Sequence, residues 1–212
     1  MILAFHKEKT WQVGIWQVEE TISELLRMLP EGIHYEEQIQ NFKSSVRRRE
    51  WLASRVLLQA LCGEPKEIAY TESHRPYLVD RSYNISISHT KGYVAVSLSS
   101  TTEIGVDIEY ISSRVRNIRH RFLSSEELQT LSADHDRELK QLLVCWCTKE
   151  AVFKVLDKEG VDFVHDLRIH PFELAHRGTL VVEERITPLC KKYPIYYMVT
   201  GHYVITTCLK TS

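Results

Sequence analysis

The sequence is poor in the two residues that punctuate chains, with eight glycines and six prolines among 212 residues. No Gly-, Pro- or Ser-rich stretch interrupts it, so a long flexible linker is excluded and any subdomains must be closely joined. Cysteine offers no framework either. Cys62, Cys145, Cys147, Cys190 and Cys208 form an odd set without a CxxC pair, which disfavours both a disulfide scaffold and a zinc cage and fits a reducing, cytoplasmic setting. Cys145 and Cys147, two apart in an apolar helical stretch, point to different sides of it and read as packing residues. An excess of one charge is also lacking: 27 Lys and Arg against 28 Asp and Glu leave a formal net charge of -1, so no global basic field exists to hold nucleic acid. No run approaches the ~20 apolar residues that cross a bilayer, and neither secretion nor membrane insertion is expected. With 43% apolar and 26% charged residues, the chain reads as soluble and globular, long enough to bury a core.

Elements can be placed from the pattern. Segment 44–62 opens with serines and a cationic turn, sets Trp51, Val56, Leu58 and Leu61 among good helix formers, and meets Gly63 as a stop, which predicts a helix. Segment 85–99 alternates apolar and polar residues on both sides of Thr90-Lys91-Gly92 and predicts a hairpin with one buried face. A strand is expected at 103–111, a helix start at Ser124-Ser125-Glu126-Glu127, a longer helix from Asp136 to Asp157, and strands at 179–184 and 194–209. A weak internal echo links Ala53-Ser54-Arg55-Val56-Leu57-Leu58 to Thr148-Lys149-Glu150-Ala151-Val152-Phe153, and Gly92-Tyr93-Val94 to Gly201-His202-Tyr203-Val204. It points to two related α+β halves that meet near residue 100, with a cleft between them where ligands are favoured.

The chemistry concentrates in four places. In Gly105-Val106-Asp107-Ile108-Glu109 the strand period puts Asp107 and Glu109 on one face, with Ile104, Val106 and Ile108 on the other. Two like charges there repel unless a cation lies beside them, and Mg²⁺ takes carboxylates together with phosphate and water. A solvated strand face is an equally good reading of the pair alone. Helix spacing stacks Trp146, Glu150 and Lys154 at i, i+4 and i+8; alone this is a surface ion pair, but beside Asp107 and Glu109 it supplies a third carboxylate and a cation for a phosphate. Ser88 and His89, in Asn84-Ile85-Ser86-Ile87-Ser88-His89-Thr90, offer a hydroxyl and an imidazole, although taken singly they are ordinary turn residues. His74-Arg75-Pro76 pairs a cation with a stiff proline.

The order Asn-x-Ser-x-Ser-His, Gly-Val-Asp-Ile-Glu, Phe-Leu-Ser-x-Glu-Glu and Trp-x-x-Lys-Glu-Ala-x-x-Lys, spread between Arg47 and Lys154, resembles the Sfp-type 4'-phosphopantetheinyl transferases of the holo-acyl-carrier-protein synthase superfamily. The resemblance implies an α+β fold of two similar halves in pseudo-twofold arrangement, 1–102 and 103–212, with the active site in the cleft and the metal-binding acids in the second half. It implies transfer of the 4'-phosphopantetheine arm from coenzyme A, with Mg²⁺, to a serine of an acyl or peptidyl carrier protein, releasing 3',5'-ADP. Asp107, Glu109 and Glu150 would hold the metal, and Glu150, Lys154 and Asp107 would carry the catalysis. Arg48, Arg75, Ser88, His89 and Lys154 would contact coenzyme A, with Arg47, Arg48 and Arg49 open as alternatives for one basic contact. Two departures from the family pattern stand out. His74 replaces the glycine of a Gly-Lys-Pro turn, in which Arg75 replaces the lysine, and after Lys154 only Gly160 remains of a Gly-x-Gly turn.

Carrier proteins are typically acidic, so a positive dock is expected. Arg114, Arg116, Arg119 and Arg121, with His120 and without one acid among them, are the candidate, with Phe122 and Leu123 as an apolar edge; a solvated charge run is the alternative. Neither a nucleic-acid nor a membrane partner is expected, and a monomer is the default. Two other functions share parts of this pattern. A non-catalytic coenzyme A or carrier-binding paralogue would show a damaged acidic triad, and here all three acids stand. A Mg-dependent nucleotide hydrolase ranks lower because no GxxxxGK[ST] loop occurs.

Overall fold

Two stretches pack as separate units, Met1–Thr101 and Thr102–Ser212, in a computed structural model that describes residues 2–31 and 33–210. The first unit runs β1 (Ile2–Lys7), β2 (Trp11–Gln17), α1 (Ile22–Arg27), α2 (Tyr35–Gln40), α3 (Ser45–Cys62), β3 (Ile68–Tyr70), β4 (Pro76–Leu78), β5 (Asn84–Thr90) and β6 (Tyr93–Ser99). Its four-stranded sheet has the order β1-β2-β6-β5, and β3 and β4 form a separate pair. The helix expected over 44–62 is α3. Ser44 caps it by accepting from the Arg47 amide, and Gly63 ends it in the left-handed region at φ +76°. Leu52, Leu57 and Leu58 are wholly buried in one cluster with Ile85, Val94, Val96 and Leu98 of the sheet. Each such leucine contributes roughly 1.5–3 kcal/mol by leaving water.

The β5–β6 hairpin turns at Lys91 and Gly92, both with positive φ, and its register closes Thr90 on Tyr93. Its polar face is not solvated as alternation predicted: Ser86, Ser88, Ser97 and Ser99 are buried. Serine is small enough for this, and its hydroxyl can bond to backbone, as Ser97 does to the Ser86 carbonyl at 3.5 Å.

The second unit runs β7 (Ile104–Tyr110), α4 (Val115–Ile118), α5 (Ser125–Gln129), α6 (His135–Leu156), β8 (Leu167–Ile169), β9 (Arg177–Glu184), β10 (Lys192–Val199) and β11 (Tyr203–Leu209). These strands make an antiparallel sheet in the order β7-β11-β10-β9-β8. The single strand expected over 194–209 is a hairpin, broken where the Thr200 hydroxyl accepts from the amides of His202 and Tyr203. Asp134 caps α6 through the Arg137 amide at 2.8 Å, and α6 ends on Asp157 in the left-handed region.

The Phe-Leu-Ser-x-Glu-Glu motif is structural here. Phe122 is fully buried and meets Trp146 edge-on at 5.2 Å, so it does not form the edge of a docking surface as expected. Burying a large ring contributes more than displaying it, and Leu123 beside it, also buried, precedes the Ser124 cap in the position of a hydrophobic staple. Ser124 and Glu127 form a capping box at the start of α5. Glu127 then does more. Its carboxylate accepts from the Ile169 amide at 2.8 Å and pairs at 2.9 Å with Lys149, a side chain with no exposure that also donates to the Phe163 carbonyl at 2.8 Å. One buried ion pair thereby ties α5, α6, β8 and the loop at Phe163 together.

Candidate active site

The strand period sends Gly105, Asp107 and Glu109 of β7 to one face. A Cβ placed on Gly105 would collide with the Ala151 carbonyl oxygen, so α6 crosses β7 where no side chain fits. Glu150 immediately precedes Ala151, and the close crossing sets it beside the strand's acids. Asp107 is only 6% exposed, which overturns the solvated-face reading of the pair. Lys154 does not bridge to Glu150, one turn back, as an ordinary helix pair would. Its Nζ donates to Asp107 Oδ1 and to the Val106 carbonyl, both at 2.8 Å.

The electrostatics record the crowding. Burial, then the negative charges of Asp107 and Glu109, push the Glu150 carboxyl up from its ordinary 4.5 to about 7, against the opposing pull of Lys154. The Cys147 thiol is held well above its usual range by burial and by the same two acids. Like charges gathered this closely, with oxygen ligands only, have the donor chemistry of a hard divalent cation. Among the described residues, however, no three His, Cys, Asp or Glu side chains stand in a ready-made metal cage.

The first unit carries a cavity of about 160 Å³ whose lining includes Arg47, Glu50, Trp51, Arg55, His74 and His89. Arg55 is 6% exposed, and its guanidinium lies 3.5 Å from the centroid of the Trp51 ring. It donates to the Trp51 carbonyl at 3.2 Å, the Ser54 hydroxyl at 2.9 Å and the Tyr70 hydroxyl at 2.8 Å. Its proton affinity is lowered by burial. Of the three adjacent arginines, Arg47 lines this cavity, while the Arg48 Nε is committed to the Phe42 carbonyl at 2.7 Å. Ser88 and His89 part company: alternation along β5 sends them to opposite faces, and His89 lines the cavity while Ser88 is buried elsewhere. His89 Nδ1 lies 3.1 Å from Glu50 Oε2. His74 has φ +62°, so the turn keeps the left-handed backbone that a glycine would adopt, at a cost of roughly 1–2 kcal/mol. Arg75 follows it half-buried, its amide donating to the Thr71 hydroxyl.

The arginine run after β7 is less positive than its own residues imply. Arg116 reaches Glu138 at 3.0 Å and the His135 carbonyl at 2.6 Å, and Arg119 lies 3.7 Å from Glu138. Arg114, His120 and Arg121 stay exposed.

The family model of the 4'-phosphopantetheinyl transferase superfamily matches residues 103–208. The chain belongs to that superfamily. A putative 4'-phosphopantetheinyl transferase of Haemophilus influenzae is 32% identical over 143 residues, 60% of this chain and 58% of that protein. The 4'-phosphopantetheinyl transferase AcpT of Salmonella typhi is 33% identical over 113 residues, 51% of this chain and 59% of that protein. AcpT of Escherichia coli (strain K12) is 33% identical over 112 residues, with coverages of 51% and 57%. In each case the match spans under three-fifths of the relative's own length. The superfamily match contains all four of Asp107, Glu109, Glu150 and Lys154. No described helix is long and apolar enough to cross a membrane.

The sequence reading gave no role to Glu50 or Arg55 and missed what Gly105, Glu127 and Lys149 do in the fold. Arg55 left a signal, since it is a cation inside an otherwise apolar helical stretch, where a lone charge demands a partner. Gly105 left a weaker one, as a glycine inside a strand.

Proposed function

We propose that the chain is an Sfp-type 4'-phosphopantetheinyl transferase that moves the phosphopantetheine arm of coenzyme A to a serine of an acyl or peptidyl carrier protein. What carries the reading is the crossing at Gly105, which sets Glu150 beside Asp107 and Glu109 and brings Lys154 onto Asp107. The names of the bacterial relatives agree with it.

In this reading the carrier's serine oxygen attacks the β-phosphorus of coenzyme A. The new P–O bond forms as the bond to the bridging oxygen breaks, 3',5'-ADP leaves with that electron pair, and Glu150 accepts the serine proton. Asp107, Glu109 and Glu150 would hold Mg²⁺, which supplies charge neutralisation on the diphosphate when bound. Lys154, held near the acids by Asp107 and the Val106 carbonyl, adds a second positive charge for the diphosphate. The cavity within the first unit offers groups suited to a nucleotide phosphate. His89 and Arg47 give that cavity groups for a phosphate, beside the buried charge of Arg55, and Arg75 stands between the lining residues His74 and Pro76 with a planar fork. The exposed Arg114 and Arg121 are the better candidates for carrier contact, because Arg116 and Arg119 are engaged by Glu138.

The decisive experiment is incubation with coenzyme A, Mg²⁺ and an apo carrier protein, followed by mass measurement of the carrier. Gain of one phosphopantetheine is expected. Coenzyme A binding with no mass gain would make the protein a binding paralogue, and cofactor breakdown without transfer would make it a hydrolase.

A further inference from the structure

Resting on the reading that this chain binds coenzyme A, we infer that Glu50 is a positioning residue. It holds His89 by Nδ1, so that the imidazole takes up a proton on Nε2 when a phosphate of the ligand arrives.

The observation is a carboxylate where an anion receptor would not be expected to keep one. Glu50 is 7% exposed and faces a cavity that also holds Arg47 and Arg55. It is not there to bond Arg55, whose donors go to Trp51, Ser54 and Tyr70. It meets His89 instead, its Oε2 at 3.1 Å from the ring Nδ1. The charged and titratable groups that share the cavity with His89 are Arg47, Glu50 and Arg55 from α3, Tyr70 from β3, and His74 from the turn before β4.

The chemistry follows from the ring's two nitrogens. A carboxylate accepts, so the hydrogen between Glu50 and His89 sits on Nδ1, and in a neutral ring Nε2 then carries a lone pair. A phosphate oxygen also carries lone pairs and is repelled by that edge. With acceptors on both sides, the imidazole satisfies both only as imidazolium. A proton from solvent must therefore join Nε2 as the ligand binds, and Glu50 balances its charge. Replacing Glu50 by glutamine changes this requirement. A carboxamide can donate to Nδ1, the neutral ring can carry its one hydrogen on Nε2, and phosphate is met without any proton taken from solvent.

The test is calorimetric titration of the full-length protein with coenzyme A at pH 8, in buffers of different ionisation enthalpy. At that pH a phosphate monoester, with its second pKa near 6, is already doubly ionised, so the ligand itself takes up no proton on binding. The wild type should take up nearly one proton per coenzyme A bound, and around pH 8 its Kd should accordingly weaken nearly tenfold for each pH unit. Glu50→Gln and His89→Asn should take up almost none and lose the pH slope, whereas His74→Asn, whatever its affinity, should keep the proton uptake of the wild type. Thermal melts of each variant check that the fold persists. Uptake by Glu50→Gln equal to that of the wild type overturns the role of Glu50 while leaving coenzyme A binding intact. A wild type that binds no coenzyme A overturns the functional reading itself, and this inference with it.

Discussion

Glu150 is the side chain whose chemistry depends most on its neighbours. Its carboxyl ionises near 7 in the folded chain and near 4.5 when unfolded, so between those values the folded state binds more protons. Stability attributable to this group is therefore intact below about 4.5, falls as pH rises, and is lost above about 7, to the extent of up to about 3 kcal/mol. Glu150→Gln should remove the penalty: with metal chelated, the variant should be the more stable protein at pH 8 and indistinguishable from wild type at pH 4.5. Denaturant unfolding across pH measures this, and parallel curves for the two proteins would show that the acids do not crowd one another. Added Mg²⁺ should raise the melting temperature of the wild type at pH 8 and that of the variant much less. The helical spacing of Glu150 and Lys154 was readable from the residues alone, but the partner of Lys154 was not. An i, i+4 rule names the neighbour on the same helix, whereas a strand contributed by distant sequence supplied the nearer acceptor in Asp107.

The elements were legible where local chemistry decides them. Ser44 and Gly63 bracket α3, and Ser124 with Glu127 opens α5, because caps are satisfied within a few residues. What local pattern could not reveal is the distance between elements, and that distance makes the site. The carbonyl of Ala151 occupies the space a side chain on Gly105 would need, so the helix and strand can touch only at glycine. Gly105→Ala should force α6 away from β7, costing at least about 1–3 kcal/mol by overpacking. As Glu150 leaves the acids, the fall in stability between pH 4.5 and 7 should flatten. A variant unfolding within about 0.5 kcal/mol of wild type and keeping the same pH slope would mean that the crossing is not what gathers the carboxylates. The Lys149–Glu127 pair shows the converse limit. The motif residues were recognisable, yet their use as a buried tie between α5, α6 and β8 became visible only once burial was known, since the same two residues on a surface would be worth a few tenths of a kcal/mol.

At the scale of the whole molecule the charges cancel, and any attraction for an acidic partner has to be local. The run from Arg114 to Arg121 looks like such a patch in one dimension because it contains no acid. In three dimensions α6 lends it Glu138, which engages Arg116 and Arg119 and ties this segment to the helix. Reversing those two would confound docking with folding, since Arg116 also donates to the His135 carbonyl. Arg114 and Arg121 are exposed, and no such tie to Glu138 holds them. The double variant Arg114→Glu, Arg121→Glu should keep the wild-type melting temperature within about a degree, since exposed charges contribute little to stability. It should leave the Kd for coenzyme A within about twofold. Its affinity for an apo carrier should drop roughly tenfold or more at low ionic strength, and the dependence of that affinity on salt should become shallower, because rim charges act mainly through long-range steering. Binding measured at several salt concentrations separates the two effects. Unchanged carrier affinity together with an unchanged salt slope would move the dock away from this segment.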